Sequence, residues 1–104
     1  MSIAKHTIGA LLFVAATAHA ATVNSLCASI GELAESIMRA RQSGASVTRM
    51  LETAQGNKIA EALVMDAFNT GRFTSQPFID RAAEEFRERA EVQCLRTLKS
   101  KGTV

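Results

Sequence analysis

Apolar residues recur along this chain at intervals of three and four, the spacing that gathers side chains on one face of an α-helix. Leu26, Ile30, Leu33 and Ile37 step by four, three and four, with Cys27 and Ala34 widening the face and Glu32 and Glu35 turned away from it. This predicts a first helix that starts at Asn24 or Ser25 as cap and closes with Arg39, Arg41 and the run Gln42-Ser43-Gly44. Gly31, one turn after Ala28, leaves a low-profile patch on that helix where another helix can come close. Val47, Met50, Leu51 and Ala54 predict a short second helix, with Ser46 as its N-cap and Gly56 as its stop. Asn57 then caps a third helix, whose broad stripe contains Ile59, Ala60, Leu63, Val64, Ala67 and Phe68 and which ends at Asn69-Thr70-Gly71. Pro77 is the only proline and suits the first turn of a helix, so Thr74 or Ser75 is the expected cap of a fourth helix running to Lys99. On it Ile79, Ala83, Phe86, Ala90, Cys94 and Leu98 make one continuous stripe, with Phe78, Ala82 and Leu95 at its margins. No alternating strand pattern competes. The expected fold class is therefore all-α, a compact bundle of about four helices, with residues 100–104 as a frayed tail.

The first 20 residues stand apart from this pattern. A single positive charge, Lys5, precedes the uncharged run Ile8 to Ala16, and the small residues of Thr17-Ala18-His19-Ala20 follow. That order is the layout of a secretory signal peptide, with Ala18-His19-Ala20 as the cleavage site. Its apolar run falls well short of the roughly 20 residues needed to span a bilayer. Residues 1–20 are thus expected to be a cleaved leader and residues 21–104 a single helical domain, periplasmic or secreted, with no membrane span after cleavage.

Export changes how the two cysteines read. Cys27 and Cys94 lie beyond the leader, in a chain bound for a compartment where disulfides persist. With two thiols there is one intramolecular connectivity, and closing so long a loop stabilises a small domain by roughly 4 kcal/mol. A structural disulfide is the favoured reading over intermolecular pairing or redox work, since C-x-x-C spacing is absent. Such a bond would set the first and last helices antiparallel and side by side.

Composition narrows the chemistry further. The full chain carries 12 Lys and Arg against 10 Asp and Glu, a net charge of +2 that includes Lys5. So small an excess argues against nucleic acid as a partner. Both histidines, His6 and His19, fall in the leader, so the domain has no imidazole for catalysis or metal binding. Glu84, Glu88 and Glu91 share one face of the fourth helix, but one helix face cannot supply the several directions a hard cation needs. Arg81 to Glu85 and Glu85 to Arg89 are spaced as i,i+4 ion pairs, so this face reads as solvated. No motif activates a serine or threonine, and the glycines are too scattered for a phosphate loop. The expectation is no catalytic residue, no metal, no cofactor and no enzyme activity.

What remains points to recognition. Arg39, Arg41 and Arg49 form one basic cluster and Arg96, Lys99 and Lys101 another, mostly explained by helix dipoles, with Arg49 fitting least well because it lies in a first turn. Phe73 falls in a connection beside Arg72, where it reads first as a core plug between helices three and four and otherwise as a recognition anchor. Met38, Met50 and Met65 read as core methionines before they read as the lining of an adaptable groove. The possible interaction residues are thus Arg72, Phe73 and Arg49.

Taken together, several landmarks resemble a broad group of small, mostly uncharacterised exported bacterial proteins, all-helical and with two cysteines. They are Cys27, then Arg41-x-x-Gly44 before a short capped helix, Gly71-Arg72-Phe73, and Phe78 and Phe86 leading to Cys94. The resemblance implies an all-α disulfide domain exported by a bacterium and carries over no catalytic residue. A looser likeness, in size, export, helicity and one disulfide, is to periplasmic acid-stress chaperones. The expected function is an exported, non-enzymatic protein-interaction module, an inhibitor or accessory subunit, whose partner is another protein. The alternative is a periplasmic holdase or a carrier of lipid or small ligands in an apolar groove between helices.

Overall fold

Three of the expected helix boundaries are set by the residues that chemistry assigns to them. Ser46 keeps an extended backbone while its hydroxyl accepts from the Arg49 amide at 3.2 Å, and the Asn57 side-chain oxygen accepts from the Ala60 amide at 3.0 Å. Gly44 sits at φ +100°, and the amides of Gly44 and Ala45 fold back to the carbonyls of Arg41 and Ala40. This is the double-bonded helix ending that needs a left-handed residue at that position, hence glycine. The computed structural model describes residues 2–101, with side chains from Thr22 to Lys101. Its elements are α1 (Ser2–Ser43), α2 (Val47–Ala54), α3 (Lys58–Ala67) and α4 (Gln76–Ser100), and no strand occurs among the described residues. The expected all-α, four-helix class is what the chain adopts. α4 starts at Ser75 with Pro77 in its first turn, although the Ser75 hydroxyl makes no capping bond.

The beginning of the first helix differs from expectation. Thr22 to Ser25 are already helical, so neither Asn24 nor Ser25 caps anything. No glycine or proline lies between Ala16 and Asn24, and an isolated cap residue does not interrupt a helix that has no breaker before it. The expected leader, residues 1–20, lies outside the residues whose side chains are described.

α1 also turns a different stripe inward from the one its large residues suggest. Val23, Cys27, Gly31, Ala34, Met38 and Gln42 are buried, at steps of four, four, three, four and four, with Ile37 beside them. Leu26 stays 49% exposed, and Leu33 is exposed too. The reason is close approach: α4 packs along the ridge of small side chains. The Glu91 side chain lies over Gly31, where any Cβ would collide with it. Ala83 and Phe86 of α4, Val64 and Ala67 of α3, and Met50 of α2 complete the core with Ala34, Ile37 and Met38.

Two kinds of bond tie α1 to α4 along their length. Cys27 and Cys94 form a disulfide, with S–S 2.10 Å and Cα atoms 5.5 Å apart. Further along α1, Arg39 donates to Asp80 at 2.9 Å, so the end of α1 meets the start of α4 while its middle, at Cys27, meets the end of α4, and the pair is antiparallel. Between them Glu35 accepts from Arg39 of its own helix and from Arg87 of α4, both at 3.1 Å, and Arg87 also reaches Glu91 at 3.2 Å. Hydrogen bonds from Arg39 and then Arg87 hold the Glu35 carboxyl below its ordinary pKa, and Arg39 and then Gln76 do the same for Asp80. α3 rests on α1, and α2 on α3. α3 and α4, by contrast, share α1 as a floor without packing closely on each other.

Candidate functional site

The connection from α3 to α4 is held from below by the end of α1. After Ala67 the chain turns through Asn69 and Thr70, whose amides fold back to the carbonyls of Asp66 and Ala67. Arg41 then donates from Nε to the Thr70 carbonyl at 3.2 Å, and its guanidinium lies over the Phe68 ring at 4.4 Å. Gln42, only 4% exposed, donates from Nε2 to the Gly71 carbonyl at 2.9 Å and accepts at Oε1 from the Phe73 amide at 2.8 Å. One side-chain amide thereby binds the backbone on both sides of residue 72, as a neighbouring strand would. Arg72 completes the clamp by donating to the Gln42 carbonyl at 3.2 Å, with its guanidinium against Gly44.

The loop so fixed presents an aromatic ring outward. Phe73 is 42% exposed and Phe78, in the first turn of α4, is 52% exposed; their ring centroids lie 6.1 Å apart at 39°. Below them is a cleft of about 290 Å³, floored by Ala82 and Phe86 and edged by Arg81, Glu85 and Arg89. The Arg81 guanidinium stands 5.7 Å from the centre of the Phe78 ring and that of Arg89 5.3 Å from the Phe86 ring. Neither arginine makes an ion pair among the described residues, despite the i,i+4 spacing each has to Glu85. The face is solvated as expected, but these i,i+4 pairs do not form, and each arginine lies against a ring of its own helix instead.

The three candidate residues part company in the folded chain. Phe73 faces the cleft and so is not the core plug it first reads as, because Gln42 binds its backbone at the surface and Phe86 already fills the space beneath. Arg72 folds back onto α1 and serves the loop's shape. Arg49 lies elsewhere, at the lip of a cleft of about 560 Å³ between α1, α2 and α3 that is lined by Leu33, Ile37, Met50 and Val64. Arg39 and Arg41, grouped with it in the sequence, are engaged by acids and by the Phe68 ring. Glu91 likewise leaves the solvated face for Arg87, while Glu84 and Glu88 remain exposed. Met38 and Met50 are core residues, whereas Met65 is exposed.

Two members of the site escaped the sequence reading. Gln42 looks like part of a helix ending, yet it continues the four-residue step Ala34, Met38, Gln42, and that continuation is the signal for burial. The Phe78 margin and its arginines left no such signal, because nothing in the local sequence says that the Phe73 connection settles beside them without covering them.

A third apolar cleft, about 700 Å³, opens between α1, α3 and α4 near the disulfide, with Leu26, Ile30, Ile59, Leu63 and Leu98 in its walls. Among the described residues no helix is long and apolar enough to cross a membrane, and no group of His, Cys, Asp or Glu side chains is placed to hold a metal ion. No protein-family model matches the chain, and no curated protein or solved structure is similar enough to count as a match.

Proposed function

We propose that this protein is an exported, non-enzymatic interaction module that presents the Phe73 loop to a protein partner. The observation that carries the reading is the pairing of a clamped backbone with an exposed ring. Gln42 fixes the Phe73 amide, while the Phe73 and Phe78 rings remain open to solvent. An aromatic anchor held in place before binding loses little conformational freedom on binding, which is what concentrates affinity in a few residues. Export rests on the layout of residues 1–20, and the disulfide suits an oxidising compartment. Crosslinking in intact cells tests the assignment: a partner captured in stoichiometric amount by the wild type is lost with Phe73→Ala at unchanged helicity. Undiminished capture by that variant removes the loop from the site.

A second reading has its own observation. The 700 Å³ cleft exposes Leu26 and Ile59 between helices that share a floor, which suits a carrier or holdase for an apolar client. It requires lipid to co-purify with the oxidised protein, or a polarity-sensitive dye to bind it. A lipid-free protein that binds no dye and protects no client in acid excludes it.

A further inference from the structure

α4 carries a second seam beside the one it packs on α1. Phe78, Ala82, Glu85, Arg89, Val92 and Arg96 recur at steps of four, three, four, three and four, the alternation that keeps a line of side chains facing one partner helix. The seam runs about 27 Å. It is open along its length: Phe78 and Val92 are exposed apolar residues, and Glu85, Arg89 and Arg96 are exposed as well, with only Ala82 half-buried. Glu85 and Arg89 are spaced for an intrahelical pair yet do not make one; the Arg89 guanidinium lies over Phe86 instead. Acid and base are therefore both left without an ionic partner among the described residues.

From this pattern we infer that the outer face of α4 binds the same face of a second copy of this chain, with the two helices antiparallel. The warrant is self-complementarity. When two such helices are laid antiparallel with Glu85 of one copy opposite Arg89 of the other, a two-fold axis generates the reciprocal pair. In the same register Ala82 meets Val92 and Phe78 meets Arg96, an apolar layer and a cation–π layer, each occurring twice. No layer sets like charges together. Moving the register by four residues so that Glu85 faces Glu85 also brings Arg81 against Arg89, so charge selects among alignments. An anionic polymer or membrane fits this face less well, because Glu85 sits at its middle. The inference goes beyond the loop-centred reading, since the seam includes Phe78 but not Phe73, and the experiment leaves Phe73 intact so that either idea can fail alone.

Sedimentation equilibrium on the protein as recovered from cells tests it. The wild type shows a concentration-dependent monomer–dimer equilibrium. Arg89→Glu, which sets acids at 85 and 89 against each other, and Glu85→Arg, which does so with bases, each weaken the dimer by roughly tenfold or more. Mixing the two single variants restores association as a heterodimer, and the double variant Glu85→Arg/Arg89→Glu regains wild-type affinity. Both positions are exposed, so thermal melts of the four proteins taken at concentrations where the wild type is monomeric coincide, and a folding defect is visible if present. A wild type that stays monomeric at every concentration, or a dimer indifferent to the charge exchange, overturns the inference.

Discussion

Gln42 holds the exposed aromatic loop with both ends of one amide, an amide donor and acceptor pair that only asparagine, one methylene shorter, also carries. Its Nε2 donates to the Gly71 carbonyl and its Oε1 accepts from the Phe73 amide, all beneath a nearly closed surface. Gln42→Ala leaves both backbone groups without these partners and opens a void next to Met38. The expected cost is about 1–3 kcal/mol in denaturant unfolding, together with faster hydrogen exchange at the Phe73 amide. Gln42→Glu keeps the acceptor but sets a carboxylate against the Gly71 carbonyl, so it costs stability without recovering the clamp. Gly44 belongs to the same arrangement. Its left-handed backbone ends α1, and the absent side chain leaves room for the Arg72 guanidinium. The resemblance landmarks Arg41-x-x-Gly44 and Gly71-Arg72-Phe73 are thus two halves of one contact.

Among the helices, α4 has the most to do. One face packs on α1, and its flank carries Asp80 and Arg87 into the network with Glu35 and Arg39. Asp80 and Glu35 titrate below their ordinary values because charged arginines donate hydrogen bonds to them. A carboxyl with a lowered folded-state pKa adds stability above its unfolded-state value, and that stability is lost as pH falls through the folded value. The network's contribution is therefore intact at neutral pH, begins to fall below about pH 4 and is lost only below the lowered folded-state values. Accordingly, the gap in thermal midpoint between wild type and Arg39→Met is widest at neutral pH and narrows as pH falls below about 4. A gap that persists at low pH would mean that Arg39 acts through packing of its stem alone. Partial exposure of these groups keeps the effect modest and makes it shrink with added salt.

For the molecule as a whole, the Cys27–Cys94 bond is the tie between its two long helices. It joins residues 67 apart in sequence, so it restricts most of the unfolded chain. Replacing both cysteines with serine is expected to cost about 2–5 kcal/mol, read from the shift in denaturant midpoint. α3 and its short neighbour α2 have no such tie and depend on Met50, Val64 and Ala67 meeting the α1 floor. The loss is therefore expected to spread to them as earlier proteolysis between α2 and α3. The intact mass checks export and oxidation together. Protein recovered from cells is expected to begin at Ala21 and to be two hydrogens lighter than the dithiol; a full-length mass or two free thiols would overturn the export reading.

Helix number, three of the caps, the antiparallel pairing of the first and last helices, and the absence of an imidazole outside residues 1–20 were all legible in the linear chain. They depend on local chemistry: a glycine, serine, asparagine or proline acts within one turn, and two cysteines allow one internal bond. The inward face of α1 was legible only in part: Gly31 marked a place of close approach, but Leu26 and Leu33 are as apolar as any core residue. Only the approach of α4 along Gly31 and Ala34 turns these small residues inward and leaves Leu26 and Leu33 to line clefts. Phe73 posed the same problem. A phenylalanine in a connection can fill a core or face water, and the choice fell to Gln42, some thirty residues earlier, reaching across to bind its backbone. Periodicity reports which residues share a side of a helix. Which side another helix covers is a property of the assembled packing, where steric fit and long-range hydrogen bonds outweigh the preference of any single side chain.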